Sequence, residues 1–204
     1  MYQTDRQPCV YIIDDDSSVR DALEDLLQSI DLNVKKFAST KAFLSIVDDR
    51  MFGCILLDIR MPEQSGLNFQ TQMNSLGIQL PVIFITGHGD VTMSVQAMKN
   101  GAVDFLLKPF NHQQLIDAIQ TAIQQDQQRI DTALEQQQRY NLWMSLNTGE
   151  QDVIKLVLKG YLNKQIAAEL NLSEITIKVR RASAMKKLNV TSIIELVHLL
   201  GKFI

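Results

Sequence analysis

The sequence predicts an α/β domain built on a parallel sheet, joined to a small all-helical domain. Three observations predict it. The apolar runs at residues 10–13, 54–57, 82–85 and 105–107 lack polar interruptions, as strands buried on both faces of a parallel sheet do. Helix-length segments separate these runs, the alternation that generates β–α units. Beyond about residue 146, apolar residues recur only at helical spacing and the balance of charge changes sign.

Each apolar run ends in a polar group. Residues 10–13 lead into Asp14, Asp15 and Asp16, residues 54–57 into Asp58, residues 82–85 into Thr86, and residues 105–107 into Lys108 and Pro109. A lone Asp at a strand end is ordinarily a helix cap or turn residue. In an open α/β sheet, however, the carboxyl ends of the strands share one edge, where ligands bind. The four endings converge on one site.

Between the strands, Ser17 and Ser18 can cap a helix with Val19, Leu23, Leu26, Leu27 and Ile30 as its apolar positions. Residues 34–37 read as a more polar strand, which suits a sheet edge. Ala42, Phe43, Ile46 and Val47 make a second helix, and Leu67, Phe69, Met73 and Leu76 a third. A fourth spans residues 90–100, with Val91, Val95, Ala97 and Met98 apolar and Gly101 closing it. A fifth starts after Asn111. Five β–α units give one domain with the flavodoxin-like strand order 2-1-3-4-5.

From Gln113 to about Tyr140 there is no Pro or Gly, and Ile116, Ile119, Ile123, Ile130 and Leu134 recur at helical intervals. This pattern predicts a long helix in which the fifth helix continues as a linker. Asp126 and Gln127 interrupt the apolar stripe, so it reads as a spacer able to pair in a dimer, not as a coiled coil standing alone.

The helical domain begins with a capping-box pattern, Thr148 with Gln151, before Val153, Leu156 and Val157. Gly160 closes that helix. Residues 163–170 form a second, Asn171 and Leu172 a turn, and Ser173 caps a third that runs to Leu188. Ile193, Ile194, Leu196, Val197 and Leu200 belong to a fourth. Two helices joined by a short turn in a small basic unit form helix-turn-helix grammar. The expected division is residues 1–125, a helical linker at 126–145, and 146–204.

Composition excludes several classes. A hydrophobic fraction of 46% and a mean hydropathy of -0.03 describe an ordinary soluble chain. No apolar run approaches the about 18 residues of a membrane span, and the N-terminus lacks the features of a signal peptide. The expectation is a cytoplasmic protein with no membrane partner. Cys9 and Cys54 have no metal or disulfide spacing and are expected as buried free thiols. The net charge of -3 divides into -7 over residues 1–126 and +4 over residues 148–204, so the basic half can meet a phosphate backbone.

Asp14, Asp15 and Asp58 come from strands expected to be neighbours. Three carboxylates so close repel one another and call for a cation. Oxygen ligands with room for water suit Mg2+, or Mn2+, better than zinc. Lys108 adds a fixed positive charge and Thr86 a hydroxyl. Such a set can hold a phosphoryl group in line with one carboxylate that acts as nucleophile. Any one of these residues alone would read as part of a salt-bridged strand-end cluster.

Residues 8 to about 125 resemble the receiver domain of two-component response regulators, and specifically the FixJ-like branch of the NarL/FixJ family. The resemblance rests on Asp14 and Asp15, Asp58 followed by Met61, Pro62 and Gly66, then Thr86, and Lys108-Pro109-Phe110. It extends over residues 85–90 and 101–105. It implies that Asp58 accepts phosphate from a sensor histidine kinase. It also implies that Asp15 and Asp58 ligate Mg2+ with the Arg60 main-chain carbonyl, Asp14 acting mainly through water. Lys108 and Thr86 would bind phosphoryl oxygens, Phe105 would turn inward as Thr86 moves, and the Lys108–Pro109 bond would be cis. Arg60 and His88, each two residues beyond a site residue, are placed to shield the acyl phosphate or are simply exposed polar side chains. Resemblance further implies dimerisation through residues 90–107 on phosphorylation.

Residues 148–204 resemble the LuxR-type helix-turn-helix domain of the same family. The matching pieces include Gly160, residues 163–167, Thr176-Ile177-Lys178, Arg181, Lys187-Leu188 and residues 195–197. Ile177 and Leu188 share a helical face suited to packing. That leaves Thr176, Lys178, Val179, Arg180, Ala182, Ser183 and Lys186 to face a groove, and the resemblance adds Arg181 to the residues expected to contact DNA. Cations there would meet phosphates or guanine edges, and Val179 and Ala182 thymine methyls. Arg180 stands where the family usually has His, and Ala182 where some relatives carry a base-reading cation, so the operator sequence does not transfer. The reading is a transcription factor, not an enzyme, whose partners are a sensor kinase, promoter DNA, a second copy and RNA polymerase. Two rivals are a Mg2+-dependent phosphohydrolase, which would need a second acid where Arg60 stands, and an output module that binds only protein.

Overall fold

The computed structural model describes residues 7–87 and 91–201. His88 and Asp90 lie outside the described residues. The chain divides into two compact units, Met1–Ile130 and Asp131–Ile204.

The first unit is a five-stranded parallel sheet, β1 (Cys9–Ile13), β2 (Asn33–Phe37), β3 (Gly53–Asp58), β4 (Val82–Thr86) and β5 (Asp104–Leu107), in the order β2-β1-β3-β4-β5. β2 is the polar edge strand that its sequence predicts. Alternation along the strands divides the core in two. Tyr11, Ile13, Ile55, Leu57 and Phe84 pack with Phe43 of α2 (Thr40–Leu44), Phe69 and Met73 of α3 (Gly66–Ser75), and Ala97 of α4 (Val91–Lys99). Val10, Ile12, Cys54, Leu56 and Ile83 pack on the other face with Leu23 and Leu27 of α1 (Ser17–Gln28) and with Leu115 and Ile119 of α5 (His112–Met144). Cys9 and Cys54 are buried free thiols, and burial pushes both upward in pKa.

Several local expectations shift. α1 is capped by Asp16, whose carboxylate accepts from the Ser18 N–H, one residue before the expected serines. α2 ends at Leu44, which leaves Ile46 exposed. In α4 only Ala97 is buried; Val91, Val95 and Met98 face outward, Val91 with 79% of its surface exposed. Asp126 does not interrupt α5 but anchors it. Its carboxylate is fully buried and accepts from the Gly53 N–H at 2.9 Å and from Arg129 Nε at 2.8 Å.

The second unit is helical: α6 (Thr148–Leu158), α7 (Asn163–Glu169), α8 (Glu174–Lys187) and α9 (Ile193–Leu200). Val153, Ile154, Ile166, Ile177, Ala184, Leu188, Leu196 and Leu200 form its core, and Leu142 and Trp143 from the end of α5 pack against it. The capping box sits one residue earlier than its pattern suggested. Asn147 Oδ1 accepts from the Glu150 N–H, and Glu150 Oε2 accepts from the Asn147 N–H. Gln151 instead donates to the carbonyls of Trp143 and Leu146. Ser173 caps α8 as expected, and Gly160 takes a left-handed φ of 84° after α6.

Candidate functional site

Parallel pairing brings the polar strand ends together. Asp58 is the last residue of β3, opposite Ile85, and Thr86 is the last of β4, opposite Leu107. Asp14 follows β1 directly and Lys108 follows β5. The Lys108 N–H donates to the Thr86 carbonyl at 2.9 Å, which holds the end of β5 against β4, and the Lys108–Pro109 peptide is cis.

Lys108 Nζ lies 2.8 Å from Asp14 Oδ2 and 3.5 Å from Asp58 Oδ1. Asp14 is 3% and Asp58 8% exposed, so the ammonium bridges two nearly buried carboxylates. Asp14 Oδ1 accepts from the Asp16 N–H, and Arg20 Nη1 donates to the Asp14 carbonyl. Asp58 Oδ2 accepts from the Arg60 N–H at 2.6 Å. Burial, and next the charge on Asp14, raises the Asp58 carboxyl above its ordinary value, against the opposing pull of the Arg60 N–H and Lys108. Thr86 is buried, Asp15 and the Arg60 side chain are exposed, and Phe105 is half-buried with its ring 6.3 Å from that of Phe84.

Among the described residues no three carboxylate, histidine or cysteine side chains cluster closely enough to hold a metal by themselves. A hard divalent cation needs less from the protein, because carbonyl and water oxygens complete its shell. Two buried carboxylates facing one ammonium leave an excess of negative charge, the electrostatic condition such a cation relieves. The donor set therefore fits Mg2+ chemistry, with Asp14 already engaged by Lys108.

In the second unit, α8 carries Lys178, Arg180, Arg181, Lys186 and Lys187. At 3.6 residues per turn, Ile175, Val179, Ala182 and Lys186 fall within about 60° of one another, with Lys178 beside them. All five are exposed. The remaining predicted contacts lie on the flanks. Arg180 rests its guanidinium over Gly149, where an added Cβ would stand 2.6 Å from Nη1. Arg181 Nη1 donates to Asn163 Oδ1 at 3.0 Å. Thr176 and Ser173 share a hydroxyl hydrogen bond at the start of the helix. Ser183 Oγ and Lys187 Nζ both reach Glu150, at 2.6 and 2.7 Å.

Residues 10–120 match the response regulator receiver domain, and residues 144–200 match the bacterial regulatory proteins of the luxR family. The chain belongs to the two-component response regulators. Response regulator protein TodT of Pseudomonas putida is 47% identical over 197 residues, covering 97% of this chain and 87% of that one. Transcriptional regulatory protein FixJ of Bradyrhizobium diazoefficiens is 39% identical over 190 residues, 93% of each chain. Among solved structures, response regulator StyR matches with a TM-score of 0.89 at 43% identity, over 97% of this chain and 100% of its own. Full-length FixJ from B. japonicum gives 0.59 at 38% identity, over 96% of each.

A response regulator of this construction couples a receiver domain, which implies a sensor kinase, to a LuxR-type domain, which implies DNA binding and transcription control. No helix among the described residues is long and apolar enough to cross a membrane. Two residues of this regulator hold places that the sequence pattern did not mark: Asp126, read as a break in the stripe of α5, and Ile175, which went unread although it stands one helical turn before Val179. The group that Asp126 anchors, the Gly53 N–H, is 73 residues away.

Proposed function

We propose that Asp58 is the phosphoryl acceptor, receiving phosphate from a sensor histidine kinase, and that this switches a DNA-binding transcription factor. The observation that carries the reading is the Lys108 ammonium, held between Asp14 and Asp58 at the carboxyl edge of the sheet. An Asp58 carboxylate oxygen attacks phosphorus in line, the phosphoryl–histidine bond breaks, and Lys108 and Thr86 stabilise the transferred oxygens. Asp15, Asp58 and the Arg60 carbonyl would hold Mg2+ (or Mn2+), which neutralises phosphoryl charge when bound, while Asp14 acts through Lys108 and water. Arg60 occupies the place where a phosphohydrolase would need a second acid, which favours a lasting signal over turnover.

Residues 90–107 serve as the dimer face in this reading. The exposure of Val91, Val95, Met98 and Leu107 supports it, as does a groove of ≈ 780 Å³ lined by Val91, Phe105, Leu107 and Phe110. Phe105 would turn inward with Thr86 to join the two sites. The output helix α8 then binds promoter DNA in the cytoplasm, with Lys178 and Lys186 outward, Val179 and Ala182 at base edges, and Thr176, Arg180 and Arg181 at the sides, for RNA polymerase to read.

The test is duplex binding by wild type and Asp58→Asn, with and without a small acyl phosphate and Mg2+. Wild type should tighten and dimerise on treatment, and the variant should do neither. Equal binding by both proteins in every state would sink the mechanism.

A further inference from the structure

The exposed face of α8 centres on an isoleucine that the cationic pattern does not explain. Ile175 is 75% exposed and Val179 63% exposed, and both share the outward arc with Ala182 and Lys186. Uncharged β-branched side chains on the solvent face of a short cationic helix stabilise neither the helix nor the core. The cations most able to read guanine are turned away from this arc. Arg180 lies over Gly149 at the first turn of α6, and Arg181 is held by Asn163 at the start of α7. The N-terminal part of the face is apolar, with Lys178 at its side and Lys186 on the same arc toward the C-terminal end of the helix.

We infer that Ile175 is a specificity-determining residue, forming with Val179 and Ala182 an apolar edge that reads thymine methyl groups in the major groove. The inference rests on the proposed DNA-binding role of α8 and names what that helix recognises. A helix in the major groove of a helix-turn-helix complex presents its N-terminal residues to base edges, and Ile175 is the second residue of α8. The methyl group is the only apolar feature a base pair offers there, and it distinguishes thymine from every other base. Ile175 and Val179 are four residues apart, about 6 Å along the helix axis, which spans about two base-pair steps of 3.4 Å. The flanking lysines supply phosphate contacts without sequence preference.

The experiment selects a preferred duplex from a random pool with the acyl-phosphate-treated protein, then replaces each half-site thymine singly with uracil. Uracil keeps the O4 acceptor and loses only the methyl group. Two thymines about two steps apart should each weaken binding about fourfold, the equivalent of about 0.8 kcal/mol for one buried methyl-sized group. Ile175→Ser should abolish the uracil penalty at one of them and Val179→Ser at the other, with Trp143 emission unchanged because both side chains are exposed. The inference is overturned if uracil is tolerated everywhere, or if Ile175→Ser leaves affinity and uracil sensitivity as in wild type. The second result combined with lost transcription would make Ile175 a contact for another protein. A protein that selects no duplex at all would overturn the DNA-binding reading itself.

Discussion

Gly66 shows how one missing methyl group lets α3 close on the strand end that carries Asp58, the proposed acceptor. A Cβ at this position would stand 2.3 Å from the Asp58 carbonyl oxygen, and the Gly66 N–H donates to the Ile59 carbonyl at 2.9 Å. The start of α3 therefore lies directly on the end of β3. Gly66→Ala should destabilise the receiver by about 1–3 kcal/mol through overpacking and slow phosphorylation of Asp58, read by urea titration and by phosphodonor uptake. Glu150 is the corresponding residue of the output unit. Its hydrogen bond from Lys187, then that from Ser183, lowers its pKa from 4.5 to about 2. A lowered carboxyl pKa stabilises the fold above about 4.5, and that stability is lost as pH falls toward about 2. Glu150→Gln should cost on the order of 2 kcal/mol at neutral pH, allowing for screening at the exposed side of Lys187. The difference from wild type should shrink between about pH 4.5 and 2. Emission from Trp143, the single tryptophan of the chain and part of this core, reports it.

α5 and α4 are held in opposite ways. α5 is fastened by a buried carboxylate that joins the amino end of β3 to the Arg129 guanidinium, which also donates to Gln79. Asp126→Leu leaves the Gly53 N–H without its acceptor and should lower receiver stability by about 1–3 kcal/mol, measured by urea unfolding in far-UV circular dichroism. Arg129→Gln should cost less, because its side chain is partly exposed and water replaces the lost contact. α4 buries only Ala97 among its described residues, with Met93 packed partly buried against the same core. The Ala97 carbonyl accepts from the Ala102 N–H and from Gln70 Nε2, so the C-terminal end of the helix is the secured one. An element so lightly packed is the kind that a change at a neighbouring strand end can displace.

Across the molecule, charge separates the two units: -7 over residues 1–126, where Asp14 and Asp58 lie, and +4 over residues 148–204. Duplex binding should weaken with salt, with a log–log slope of about -0.9 for each phosphate neutralised. Lys178→Gln should flatten that slope by about one per bound protomer and weaken all sequences alike; an unchanged slope would remove Lys178 from the phosphate contacts. Phosphorylation adds about -1.5 to -2 charges. Full switching of a two-state protein requires about 5.5 kcal/mol of differential binding, more than one Thr86 hydrogen bond supplies. Association of two copies is the source that the exposed α4 face suggests. Val91→Asp on that face should preserve phosphorylation and abolish the gain in duplex affinity.

The order of the strands, the convergence of Asp14, Asp58, Thr86 and Lys108, and the helix-turn-helix were legible in the chain because each follows from local periodicity and from the rule that parallel strands share a carboxyl edge. Capping was legible only to within a residue. Asp16 and Asn147 displaced the residues first read as caps, because Ser, Thr, Asn and Asp side chains all suit the role and the backbone chooses among them. Which apolar residues are buried was not legible in α4 or α9, since a helical stripe fixes a face but not what covers it. Asp126 shows the same gap more sharply. In sequence it is a charge that breaks a stripe, and it becomes an anchor because folding brings the unpaired Gly53 N–H within 2.9 Å of it. Arg180 and Arg181 likewise read as outward cations, yet Gly149 and Asn163, contributed by two other helices, receive them. Contacts distant along the chain carry no local pattern, so only the packed fold reveals them.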